Sequence, residues 1–177
     1  IQVTITEMDE MRQFQQALIE GKADICVAEL LPEPDFETLP VIKDPCIGLI
    51  PPDCPIDGSQ LTWGHLYDYP LITSVHGSCT SHINRALKQA VPPIDVNYRV
   101  RTDATIVGMV TEGLGIGILH HLSAQPIPQD VRVVQLPFQI FRLLGVSWSK
   151  EALLSPAVYA FLEVFKTLQA EVYPVAG

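Results

Sequence analysis

The 177-residue sequence predicts an α/β fold built on parallel strands. Three observations carry that expectation. Short apolar or alternating runs are separated by stretches whose apolar residues recur at helical spacing, so strands and helices take turns along the chain. The opening gives one complete unit, IQVTI, a helical stretch and then ADICVA, and a strand–helix–strand order forecasts a parallel sheet. Hydrophobic residues make up 47% of the chain, enough for a packed core and too many for a disordered segment.

The elements follow in order. IQVTI alternates and is β-rich, which reads as a strand. Thr6, with Asp9 three residues on, is placed to cap a helix in which Met11, Phe14 and Leu18 share a face, and Gly21 ends it. ADICVA is a continuous apolar run of the kind buried on both faces. A proline-rich loop, LLPEPDFETLP, leads to the run PCIGLI, and Pro51-Pro52 then turns the chain. Ser59 is placed to cap a short helix through Leu66, PLITS is a short strand, and VHGSCTS is a turn of small polar residues. Ser78 or Thr80 starts a helix with Ile83, Ala86, Leu87 and Ala90 on one face, and Val91-Pro92-Pro93 stops it. IDVNYRVR alternates strictly, with Ile94, Val96, Tyr98 and Val100 on one side, as in a strand near a sheet edge with one face solvated.

Thr102 or Asp103 caps the next helix, carried by Ile106, Val107 and Val110. The stretch TEGLGIGILHH then invites a phosphate-loop reading, but its order is wrong. A dinucleotide loop runs from strand to helix N-terminus, whereas these glycines follow a helix C-terminus, whose dipole repels anions. Gly113 therefore stops the helix and Ile116 to Leu119 is a strand. His120 and His121 point to opposite sides of an extended backbone and read as loop or surface histidines, not as a metal pair. RVVQL and FQIFRLLGVSWS supply the last strands. The final helix has Ser155 as N-cap, Pro156 as first residue and a core face of Val158, Phe161, Leu162, Phe165 and Leu168.

Composition narrows the chemistry. Eleven basic against twenty acidic residues give a net charge of −9, with no basic stripe, so direct nucleic-acid binding by this piece is not expected. No apolar run approaches the roughly 18 residues of a membrane span, and no signal peptide opens the chain. The cysteines at 26, 46, 54 and 79 lack paired Cys-x-x-Cys spacing, which argues for unpaired thiols in a reducing cytosol and against a zinc site. Cys79, near His76 and His82, is the one thiol with candidate bases, and a polar binding loop explains that cluster as well. No nucleophile elbow, HExxH motif, P-loop or motif-placed carboxylate pair is present, so neither catalysis nor a cofactor nor a metal is expected.

Four stretches in order, EGKADICVAE, LPVIKDPCIGLIPPDCPI, YPLITSVHGS and RTDATIVGMVTEGLGIGIL, resemble the effector-binding domain of LysR-type transcriptional regulators. The closing LLGVSWSKEALLSPAVYAFLEVFKTL fits the same pattern. The resemblance implies two Rossmann-like lobes joined by two crossover strands, as in type II periplasmic binding proteins. Lobe I would hold residues 1–50 and 143–177, and lobe II residues 51–142. It implies a strand and helix ahead of Ile1, which this sequence lacks, and a small, anionic metabolite bound between the lobes. Thr73, Ser74, Thr102 and Asp103, with His76 and Ser78 further along the turn, would face Glu29 and Leu30 of the first lobe. The resemblance further implies a cytoplasmic protein that forms a homodimer or homotetramer through the helix carrying Met11, Gln15 and Leu18. DNA would be reached only through an N-terminal winged helix-turn-helix outside this chain. The alternative is a solute-binding protein of a transport system, which would need a secretion signal and paired cysteines.

Overall fold

A computed structural model describes residues 2–8, 10–31, 34–75 and 78–172, leaving aside the side chains of 78, 79 and 168–172. Contacts divide the chain into two units. Residues 1–43 with 143–177 form unit 1, and 44–142 form unit 2, so the first crossing falls at Lys43/Asp44, seven residues ahead of the position expected from the sequence.

In unit 1 the expected first strand is not formed, since residues 2–8 have no regular structure. An extended segment becomes a strand only when its amides find a neighbouring ladder, and period-two patterning cannot supply one. Helix α1 spans Met11–Ile19, and its N-cap is Glu10, not Thr6. Glu10 and Gln13 form a reciprocal capping box. Gly21 takes a positive φ just past the helix end. Met11, Phe14 and Leu18 pack with Cys26, Leu31 and Phe36.

Strand β1, Cys26–Glu29, pairs antiparallel with one neighbour at the end of the sheet, and Val27 is 59% exposed. It is therefore an edge strand, not the doubly buried one its apolar run suggested. Strand β2, Phe36–Ile50, is far longer than PCIGLI and takes in half of the expected proline-rich loop.

Unit 2 realises the parallel arrangement. Helix α2 covers Trp63–Asp68 and is capped by Thr62, not Ser59. The Thr62 hydroxyl accepts from the His65 amide at 3.3 Å while the His65 ring accepts from the Thr62 amide at 3.2 Å. Strand β3, Leu71–Ser74, leads to α3, Ser78–Gln89, in which Ile83 and Leu87 are buried. Strand β4 is confined to Tyr98–Val100 and forms the far edge of the sheet. Helix α4, Asp103–Thr111, has Thr102 as its N-cap, and Gly113 ends it with φ 76°. Strand β5, Ile116–His120, is buried throughout.

The short β6, Arg132–Val134, pairs antiparallel with β2. Within the unit, β3 pairs parallel with both β4 and β5, while β5 pairs antiparallel with β2, Cys46 facing His120. One face of this sheet packs Ile50, Leu71, Ile116 and Ile118 against Ile83 and Leu87 of α3. The other packs Leu49, Ile72 and Leu119 against Ile106 and Val110 of α4.

The chain then returns to unit 1 in β7, Phe141–Ser149, which lies between β1 and β2. Helix α5, Pro156–Val172, begins as the sequence indicated, the Ser155 hydroxyl accepting from the Val158 amide at 3.4 Å. Val158, Leu162 and Phe165 pack on Val146, while Phe161 is 38% exposed. Leu168 lies outside the described side chains.

Candidate functional site

Because β3, β4 and β5 run parallel, their carboxyl ends share one edge of the unit 2 sheet. Ser74 stands opposite Val100 and Thr73 opposite Arg99, so the exits of β3 and β4 are neighbours. Each exit opens into a helix, α3 from Ser78 and α4 from Asp103. The first amides of a helix have no acceptor within it and carry partial positive charge, so a ligand offering oxygen acceptors fits this edge.

The sequence-predicted residues divide by location. Thr73, Ser74, Thr102 and Asp103 come together at this edge. Thr73 is 1% exposed, and its hydroxyl donates a long 3.5 Å bond to the Ser74 carbonyl. Ser74 is half-buried at the end of β3. The Thr102 hydroxyl accepts from the Thr105 amide at 3.2 Å and lies 2.8 Å from the Thr105 hydroxyl, so capping uses one of its lone pairs. Asp103 is half-buried in the first turn of α4, where a carboxylate suits the helix dipole. Arg101 is exposed beside it, and Arg99 donates to the Asn84 side chain at 3.1 Å.

Ser78 begins α3, with its side chain outside the description, and His76 lies outside the described residues. Glu29 and Leu30 belong to unit 1, where Glu29 closes β1 and the Leu30 amide donates to the Leu143 carbonyl at 3.0 Å.

Sequence reasoning missed a buried polar group at the same edge. His120 is not a surface histidine. It ends β5, is 5% exposed, and its Nε2 is buried without a hydrogen-bond partner among the described residues. Burial pushes its pKa down to about 4, the Arg142 guanidinium adds to that fall, and Asp44 opposes it. Asp44, 1% exposed, accepts from Arg142 Nε at 2.9 Å and from the Leu122 amide at 3.0 Å. Arg142 Nη2 reaches the same carboxylate at 2.7 Å and the Ser123 hydroxyl at 2.9 Å. The alternation Ile116, Ile118, His120 could have placed the imidazole on the buried face. The ion pair, 98 residues apart in sequence, left no local signal.

Among the described residues no group of three His, Cys, Asp or Glu side chains could hold a metal, and no helix is long and apolar enough to cross a membrane.

The family model of the LysR substrate binding domain matches residues 1–170. A curated relative from Synechococcus elongatus, "Probable HTH-type transcriptional regulator LrrA", is 36% identical over 172 residues, covering 97% of this chain and 58% of its own length. The chain spans about half the length of the curated relatives it matches. Among solved structures, HinK, a LysR family transcriptional regulator from Pseudomonas aeruginosa, superposes with a TM-score of 0.75 at 18% identity, over 92% of this chain and 58% of that one. The regulatory domain of Synechocystis PCC6803 CcmR, solved in complex with 2-PG, gives 0.73 at 20% identity, over 92% and 80%.

Proposed function

The chain belongs to the LysR substrate-binding domain family, a family of transcriptional regulators and not of enzymes, and from that premise we propose that it senses a small anionic metabolite on behalf of a DNA-binding domain elsewhere in the full-length protein. The family match over residues 1–170 carries this reading. It is supported by a solved relative of the same fold that holds a small molecule, 2-PG. The DNA contact would then lie outside this piece, in keeping with its net charge of −9. A cytoplasmic location follows from that role.

The effector site we propose is the carboxyl edge of β3 and β4, with Thr73, Ser74 and Thr102 as hydroxyl contacts and the α3 and α4 amides facing the negative charge. Arg99 and Arg101 raise the local potential in its favour, and Asp103 limits it. Glu29 and Leu30 are proposed as the contribution of unit 1. A homodimer or homotetramer is the expected assembly, but Leu18 is not available to its interface, being 3% exposed in the core of its own unit.

The test is a thermal-shift screen of small organic anions, followed by calorimetry of the best binder on Thr73→Ala and Thr102→Ala. A ligand at 100 times its dissociation constant adds about 2.7 kcal/mol, well within the reach of the screen. As a contact, each hydroxyl should contribute about 1.5–3 kcal/mol of affinity. As a cap alone, Thr102→Ala costs about 1 kcal/mol of stability and leaves affinity untouched. Unchanged affinity in both variants would remove this site.

A further inference from the structure

The chain passes between its two units only at Lys43–Asp44 and Arg142–Leu143. Asp44 and Arg142 are thus the first and last residues of unit 2, and they are ion-paired to each other. The pair is not an isolated surface contact. Asp44 is 1% exposed, holds Arg142 through two guanidinium nitrogens, and turns its second oxygen to the Leu122 amide. Arg142 in turn holds the Ser123 hydroxyl. Two backbone bonds reinforce the junction, from the Cys46 amide to the Ile140 carbonyl at 2.8 Å and from the His121 amide to the Pro45 carbonyl at 2.9 Å. Three segments distant in sequence, 44–46, 121–123 and 140–142, therefore meet at one buried carboxylate.

We propose that Asp44 and Arg142 form a clamp that locks the two crossings to each other and to the turn after β5, so that the crossings respond as one element. Three consequences of position support this. Burial of Asp44 makes the pair stiff, because removing Arg142 strands a carboxylate away from water. The turn it grips is the direct continuation of β5, whose parallel neighbour β3 carries Thr73 and Ser74. Displacement of that turn is therefore delivered to the entry and the exit of unit 2 together. Asp44 and Arg142 act here as positioning residues, and the proposal does not depend on the identity of the effector.

Native-state hydrogen exchange of the full chain tests it. The amides of Leu122, Cys46 and His121 report on the clamp, and those of Ile118 and Leu49 report on the sheet beyond it. In Arg142→Gln the three clamp amides should exchange about tenfold faster or more, while Ile118 and Leu49 keep their protection. Because Arg142→Gln leaves Asp44 buried without its cation, the double variant Asp44→Asn/Arg142→Gln accompanies it. That double variant removes the ion pair without leaving a buried charge, and should show the same selective loss. Two results would overturn the proposal in either variant. One is wild-type protection at all three clamp amides. The other is an equal loss across Ile118 and Leu49, which would make the pair a general stabiliser of unit 2.

Discussion

Acidification should destabilise this protein through His120 before its carboxylates are protonated in bulk. The imidazole is 5% exposed, and its folded pKa is about 4 against 6.5 unperturbed. Between those values the unfolded chain binds a proton that the native state refuses. Stability therefore falls as pH drops through 6.5, and the loss is complete only below the folded pKa. A gap from 6.5 to about 4 corresponds to about 3 kcal/mol in all, most of it spent between neutrality and pH 4.5.

His120→Leu removes the titrating group and leaves an apolar side chain beside Ile118 and Cys46. It also removes the unpartnered Nε2, whose burial costs about 1–3 kcal/mol. Urea unfolding of both proteins, measured at steps from neutrality to pH 4.5, isolates the histidine as the difference between the two curves. The wild type should lose about 2–3 kcal/mol more than His120→Leu over that range. Parallel curves would show that His120 gains a proton in the native state as readily as in the unfolded one, and the reasoning from burial would fail.

Other substitutions separate backbone demands from packing. Gly115 has φ 152°, and a Cβ there would overlap the Pro70 carbonyl, so Gly115→Ala should cost about 3 kcal/mol or more in a urea titration. Gly108 sits inside α4 with open space where a Cβ would go, so Gly108→Ala should stabilise by about 0.5–1 kcal/mol in the same assay. Cys26 is buried and its thiol pKa is raised by desolvation, whereas Cys54 is half-buried. Timed iodoacetamide labelling read by mass spectrometry should therefore modify Cys54 well before Cys26 in the native protein, and equal rates would contradict the burial.

What the sequence disclosed was local chemistry. Thr102 and Ser155 cap their helices and Gly113 and Gly21 end theirs, because a cap or a left-handed residue is decided within a few positions of itself. What it hid depends on partners. Residues 2–5 alternate as a strand should, yet no described residue pairs with them. Strand β2 was obscured because Pro40 closes the expected proline-rich loop and the apolar run begins only at Pro45. The ladder with β5 starts at Cys46, directly after Pro45, so the missing donor falls where pairing begins. In the candidate site, Thr73, Ser74 and Thr102 were legible because strand ends before helix caps are local features. The Asp44–Arg142 pair joins residues that only the completed sheet brings together.

The two ends of the same three strands are built differently. At the amino edge three backbone amides are closely matched. The Ile116 amide donates to the Pro70 carbonyl at 2.8 Å, the Leu71 amide to the Asn97 side chain at 2.9 Å, and the Asn97 amide to the Leu71 carbonyl at 3.1 Å. Gly115 is pressed against Pro70 with no room for a side chain. At the carboxyl edge Asp44 is matched as closely, but two other buried side chains differ. The bond from Thr73 is long, at 3.5 Å, and His120 Nε2 has no partner among the described residues, although both side chains are buried. Buried polar groups left short of hydrogen bonds cost stability. Here that edge also carries the helix N-termini, and β2, antiparallel to β5, brings Asp44 and the first crossing to it. The proposed effector contacts and the first crossing thus lie at the same ends of these strands, with β5 alone standing between β2 and β3.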